Sequence, residues 1–150
     1  MLQKVRDHIT DITFVVSLEN AVKLLEPILA LLQSLEADRP LLSQCLPAWY
    51  SIYQHVKRWC EEEFHSFEDV MPVLRKRFKG KCYHPAMAAA FLMDPVFWKK
   101  DPSGEMYTPD KDMIDKMDAC LEIDIWRDAR KVIVTIVQYA TVMLAQWLLC

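Results

Sequence analysis

Residues 42–59, LSQCLPAWYSIYQHVKRW, carry the clearest fold signal in the chain. Their apolar side chains recur every three or four residues, the spacing that places side chains on one face of an α-helix. These positions are Leu42, Leu46, Trp49, Ile52 or Tyr53, Val56 and Trp59. The stretch therefore predicts a core helix whose apolar face is rich in aromatic residues.

The same helical spacing precedes this stretch. Apolar residues at helical intervals from Val5 to Val16, and again from Leu18 to Leu35, predict two helices or one long bent helix. Pro27 lies inside the second pattern, where its missing N–H predicts a kink. A turn is expected at residues 37–40, since a residue before proline is pushed out of helical dihedral angles.

Helix start and stop signals follow downstream. Ser66 and Asp69 resemble a capping box, and we expect the helix that they start to end at Gly80. His84 before Pro85 opens an alanine-rich helix that the pair Asp94-Pro95 stops. Residues 99–108 are the most loop-like segment, and residues 109–150 are expected to form the C-terminal helices.

Two further signals place those C-terminal helices. Thr108-Pro109 supplies a predicted N-cap and first-turn proline, and a last helix is expected from about Ile125. No series of alternating strand residues is visible. The sequence therefore predicts an all-α fold, a single helical domain over residues 1–150 with about six helices in an irregular bundle.

Composition narrows the class of protein. The chain is 53% apolar and 26% charged, which is typical of a folded globule and not of a disordered segment. Its net charge of -3 is too small for a general attraction to nucleic acid or membrane, so electrostatic binding needs a local patch. Five cysteines without a CxxC pair, and an N-terminus without a secretory pattern, favour reduced thiols in the nucleus or cytoplasm.

Two groups of motifs resemble the hAT superfamily of transposases and the domesticated genes derived from them. The first is Leu24–Pro27 (LLEP) followed by residues 35–41 (LEADRPL), and the second is Arg77-Phe78 followed by residues 83–95 (YHPAMAAAFLMDP). Their order and separation match over about residues 18–98. In that family the region is helical and packs against a ribonuclease-H-like core that carries out DNA transposition.

The resemblance also implies what the chain lacks. The family's catalytic trio of acidic residues cannot be assigned here, and neither can its zinc finger or its C-terminal dimerisation segment. We therefore expect a non-catalytic fragment or derivative, not an enzyme, that binds DNA or transposase subunits at most. The alternative is an unrelated helical module that binds partner proteins through exposed apolar surfaces.

A run of cations is the sharpest functional feature. Five positive charges and one aromatic residue occupy residues 75–81. The cations are Arg75, Lys76, Arg77, Lys79 and Lys81. They could contact the phosphates of nucleic acid without sequence preference, or they could simply be a solvated helix end placed favourably near the helix C-terminus.

Other candidate sites have structural explanations. The aromatic side chains between positions 49 and 59 could stack on nucleic-acid bases, but their helical spacing favours packing in the core. Cys60 with His65, and Cys82 with His84, could form a zinc site, although their spacing is not that of a standard zinc motif. Two isolated glycines exclude a glycine-rich phosphate loop, and we expect no cofactor.

Acidic residues are frequent between positions 94 and 128. They could suggest a two-metal centre, but their spacing favours caps, first-turn charges and a solvated helix face. The residues so interpreted are Asp94, Asp101, Asp110, Asp112, Asp115, Asp118, Glu122, Asp124 and Asp128.

The C-terminal stretch, residues 132–150, is long and mostly apolar. Its length suits a bilayer, but Thr135, Gln138, Thr141 and Gln146 and the lack of a cationic anchor after it favour a buried helix over a membrane span. Apolar residues surround this helix more than they stripe it, so we expect it to be incompletely covered. The prediction is self-association through residues 132–150.

Overall fold

The structure is a computed structural model that describes residues 11–35, 41–63, 65–101 and 103–148. The expected helical turns around Val5 and the turn expected at residues 37–40 lie outside these ranges. Within them the chain is mostly helical, as the sequence predicts.

Six α-helices lie in the described residues. They are α1 (Ile12–Leu35), α2 (Cys45–Glu62), α3 (Phe67–Arg77), α4 (Pro85–Met93), α5 (Lys111–Leu121) and α6 (Ile125–Leu148). Two short 3-10 helices, Leu42–Gln44 and Pro95–Phe97, precede α2 and follow α4. The all-α class is confirmed, and α6 begins at the residue that the sequence indicates.

Two neighbouring clusters of buried side chains form the core. One contains Leu46, Phe78, Phe91, Ile114 and Met117, each fully buried. The second lies between α1, α2 and α3, and its buried members are Ile52, Val56, Cys60 and Met71. Trp49 contacts both clusters, so the aromatic face of α2 joins the two halves of the core.

The upstream helix is continuous. Helix α1 runs through Pro27 without interruption, so the stretch from Ile12 is one helix and not two. Its inner face, with Leu24, Ile28 and Leu31, packs against the second cluster.

The end of α3 differs from the prediction. Helical backbone does not end at Gly80 but continues beyond Arg77 as a π-helical turn, Phe78–Cys82, closed by the Tyr83 amide donating to the Phe78 carbonyl at 2.8 Å. Phe78, the first residue of this turn, is fully buried, and its packing holds the segment beyond Arg77 against the core. Capping at the start of α3 also differs, because the Ser66 side chain makes no cap hydrogen bond; its backbone carbonyl accepts from the Asp69 amide instead.

The segment expected to be a loop contains a small antiparallel hairpin. Strands β1 (Trp98–Lys100) and β2 (Tyr107–Pro109) pair, with Lys99 opposite Thr108. Because residues 107–109 are in a strand, Thr108-Pro109 does not start α5. Asp110 is the N-cap instead, and its carboxylate accepts from the Met113 amide at 3.4 Å.

The boundaries of α4 agree with the sequence. The His84 imidazole Nδ1 accepts a hydrogen bond from the Ala86 amide at 3.1 Å, and Pro85 is the first helical residue. The helix stops at Asp94, whose carboxylate accepts from the Val96 amide at 3.0 Å. These two caps fix the helix against which the first half of α6 packs.

Candidate nucleic-acid interface

The predicted cations lie on the last turn of α3 and the π-helical turn after it. Glu68 and Asp69 occupy the first turn of α3, and three cations occupy its last turn, so both ends complement the helix dipole. Phe78 in the middle of the run is fully buried and contacts the Trp49 ring, with 5.0 Å between ring centroids. This anchor holds the cations on either side of it at the surface.

Two of the five cations are held by one acid. Arg75 Nη1 lies 2.6 Å from Glu122 Oε1, and Lys79 Nζ lies 2.8 Å from Glu122 Oε2. Arg75 also donates from Nε to the Cys120 carbonyl at 3.1 Å. The hydrogen bond from Lys79 and the positive charge of Arg75 lower the pKa of the Glu122 carboxyl, so it stays ionised at neutral pH. These contacts tie α3 to the end of α5.

Glu122 takes an unusual backbone conformation. It follows α5 in the left-handed region, with φ of 52°, where side chains other than glycine are uncommon. In this conformation its carboxylate meets both cations. The sequence predicts Glu122 on a solvated helix face and gives no sign of this role, because the acid and Lys79 are 43 positions apart.

The remaining three cations surround an exposed groove. Lys76, Arg77 and Lys81 line a groove of about 390 Å³ together with Val73 and Gly80. All three are exposed, and none makes an ion pair with another described residue. We call these three residues the cationic groove. It presents unneutralised charge to solvent, which suits the oxygens of a phosphate.

The aromatic residues of α2 are used in packing. Tyr53 meets Phe67 edge to face at 5.5 Å, and Trp59 stacks on His65 at 4.6 Å. The Trp59 indole N–H also donates to the Asn20 carbonyl at 3.1 Å, which holds α1 against α2. The predicted preference for core packing over base stacking agrees with this arrangement.

The four suggested zinc ligands do not converge. Cys60 is buried in the core, and Cys82 is exposed. His65 lies on Trp59, and His84 caps α4. Among the described residues, no three histidine, cysteine or acidic side chains are placed to hold a metal ion.

The acidic residues occupy separate structural positions. Asp94 accepts from the Ser43 hydroxyl at 2.6 Å, and Asp118 accepts from the Ile125 amide at 2.9 Å, so each joins two parts of the chain. The first of these hydrogen bonds, with that from the Val96 amide, lowers the pKa of Asp94. Burial raises the pKa of Asp118.

Asp128 was expected on a solvated helix face, and that expectation is wrong. It is the buried charged residue of α6, only 8% exposed, and it accepts from the Tyr83 hydroxyl at 2.8 Å. Burial is the largest influence on this carboxyl and would raise its pKa, but the Tyr83 hydrogen bond and Arg127 outweigh it and lower the pKa. Burial, and then this hydrogen bond, raises the pKa of Tyr83.

Two helices expose apolar side chains. On α1 the exposed residues repeat at intervals of four and three, along an outer face beside the one that packs on the core: Leu18, Val22, Leu25, Leu29 and Leu32. On α6, the side chains of residues 133–144 are all exposed, as expected for an incompletely covered helix. Within the described part of the chain, no helix is both long enough and apolar enough to cross a membrane.

No protein-family model, curated protein or solved structure matches this chain.

Proposed function

We propose that this chain is a non-catalytic helical module of an hAT-transposase-like protein that binds nucleic acid along its phosphate backbone. The cationic groove carries the proposal, since Lys76, Arg77 and Lys81 share one exposed concave surface and form no ion pair with any acid in the described part of the chain. The motif resemblance supports the class of protein, and the groove supports the kind of contact.

Binding of this kind is electrostatic and indifferent to sequence. Each phosphate that a cation neutralises releases counterions, which gives a slope of about -0.9 in a plot of log affinity against log salt concentration. Three cations therefore give a slope of about -2.7, whereas all five cations of the run would give about -4.5. The slope distinguishes the cationic groove from the whole run.

The experiment compares two variants on a short DNA duplex of arbitrary sequence. Replacing Lys76, Arg77 and Lys81 together by glutamine is expected to abolish binding at about 50 mM salt. Lys79→Gln is the matched control, because this cation is already held by Glu122, and it should leave the slope unchanged. Equal losses in both variants, or retention by the triple variant, would contradict the proposal.

A second candidate function is association with partner proteins, and the outer face of α1 favours it. Five exposed apolar side chains at alternating intervals of four and three form a seam of the kind that packs against another helix. Leu25→Gln with Leu29→Gln should abolish such association and, because neither substitution changes the charge, should leave DNA binding unchanged. Association that is insensitive to salt, in a chain that does not bind DNA, would favour this function over the first.

A further inference from the structure

Helix α6 leaves the domain halfway along its length. Its first turns pack on α4, where Ile125 and Ala129 are buried. From Ile133 to Leu144 every residue is exposed, and the exposed fraction of Val137 is 58% and that of Leu144 is 61%. This part of α6 therefore has no covering element among the described residues.

One line along the exposed half of α6 is apolar throughout. Ile133, Val137, Ala140 and Leu144 are spaced by four, three and four residues, which places them along one line on the helix. We call these four residues the α6 seam. Each residue advances about 100° around a helix, so Lys131, Thr135 and Gln138 lie roughly on the opposite side. This more polar side also includes Val142, whereas the α6 seam is apolar at every position, and that difference gives the helix a preferred face for packing.

The α6 seam continues into an apolar groove. A cavity of about 410 Å³ lies between the start of α6 and the end of α4, lined among others by Leu92, Met93, Trp126 and Ile133. Ile133 belongs to both the groove and the seam. A helix that lay along the seam would therefore reach the groove with its end.

We propose that the α6 seam is the docking surface for a second copy of this chain, with the two α6 helices antiparallel. The spacing four, three, four reads the same in both directions, so a two-fold axis near the middle matches Ile133 with Leu144 of the partner subunit. The same axis matches Val137 with Ala140 of the partner subunit. The last turn of each α6 then lies at the groove of the other copy.

Charge selects the antiparallel orientation. Residues 132–148 contain no charged side chain, so the helices meet without electrostatic cost. Arg130 lines the groove at the start of the seam, and a parallel pair would place it beside its own copy. In the antiparallel pair the two copies of Arg130 lie roughly 25 Å apart along the helix axis, at 1.5 Å per residue. That separation exceeds the screening length of about 8 Å at physiological salt.

The buried area indicates a weak dimer. The half-exposed large side chains of the seam and groove are Met93, Trp126, Ile133, Val134, Val137 and Leu144. At about 50 Å² each they bury roughly 300 Å² of apolar surface per copy. A standard interface buries about 800 Å² per partner in total, of which somewhat more than half is apolar. We therefore expect dissociation in the micromolar range.

The test measures molecular mass by sedimentation equilibrium from about 1 to 200 µM, a range that brackets micromolar dissociation. The unmodified chain is expected to pass from monomer to dimer. Val137→Glu and Ala140→Lys should each be monomeric, since each places an unpaired charge in the seam. Gln138→Glu is the matched control on the polar side and should dimerise like the unmodified chain. Helical circular dichroism checks that each variant folds.

Mixing the two monomeric variants tests the orientation. In the antiparallel pair, the substituted position 137 of one chain faces the substituted position 140 of the other, so an equimolar mixture should recover the dimer. In a parallel pair these positions face their own counterparts, and mixing recovers nothing. A monomeric unmodified chain, aggregates larger than a dimer, or no recovery on mixing would each overturn the proposal. None of these readings depends on DNA, so they are independent of the proposed function.

Discussion

Glu122 is expected to limit the number of cations available to nucleic acid. Its carboxylate holds both Arg75 and Lys79, so Glu122→Gln should release cations from their ion pairs without removing any of them. The two cations differ in what else holds them. Arg75 still donates to the Cys120 carbonyl after the substitution, whereas Lys79 has no other described partner. The variant should therefore add one phosphate contact, from Lys79.

The magnitude follows from counting phosphate contacts. Three cations give a salt slope of about -2.7, and a fourth brings it to about -3.6. Between 50 and 200 mM salt, affinity should then fall about 40-fold for the unmodified chain and about 150-fold for Glu122→Gln. At the low end of this range the variant should bind duplex DNA more tightly.

Fluorescence anisotropy of a labelled duplex at four or more salt concentrations measures both slopes. Glu105→Gln is the control, because it makes the same change in net charge at an exposed acid that is in no described ion pair. The reasoning is refuted if Glu122→Gln leaves the slope at its original value, or if Glu105→Gln steepens it equally.

Three further predictions concern the buried contacts and the acids. Tyr83→Phe removes a donor from buried Asp128 and should cost about 1–3 kcal/mol, a fall in Tm of several degrees by calorimetry; an unchanged Tm would contradict it. The pKa of Asp128 is lowered in the folded chain, so the ionised carboxylate stabilises the fold above its unfolded pKa of about 3.9. This stabilisation is lost as pH falls through the lower folded pKa. The difference in Tm between Tyr83→Phe and the unmodified chain should therefore shrink in acid. The pKa of Asp118 is raised, so its ionised form opposes folding at neutral pH. Asp118→Asn keeps an acceptor for the Ile125 amide, and it should raise Tm at pH 7 but not below about pH 4. A lower Tm at pH 7 would show that the charge itself is needed. Finally, we expect no DNA cleavage with magnesium or manganese, and cleavage that disappears in a folded Asp94→Asn variant would show otherwise.

The sequence predicts those parts of the fold that depend on neighbouring residues. The caps at His84 and Asp94 use side chains that act two residues away, and helical spacing needs only one turn of context. The hairpin escapes prediction because its strands are three residues long, too short for an alternating pattern to be visible.

The contacts that shape the candidate site span much longer separations. The sequence identifies the run of cations but does not show which of them are paired with an acid and which are free to bind a ligand. That distinction depends on Glu122, which is 43 positions from Lys79. In the same way, the sequence predicts Asp128 to be a surface acid, because its hydrogen-bond partner Tyr83 is 45 positions away. Spacing along one helix indicates which residues share a face, but not what the face meets.

The two proposed surfaces become coupled if both exist in one molecule. An antiparallel pair of α6 helices joins two copies of the cationic groove through a two-fold axis, and therefore brings six unneutralised cations into one particle. If both grooves reach the same duplex, the salt slope should steepen from about -2.7 for the monomer to about -5.4 for the dimer. The comparison needs a range of protein concentrations and one double variant, because Val137→Glu with Leu144→Glu removes dimerisation and leaves every cation in place. A slope that stays near -2.7 at concentrations where sedimentation shows a dimer would mean that the grooves cannot engage one duplex together, and that self-association serves some purpose other than binding nucleic acid.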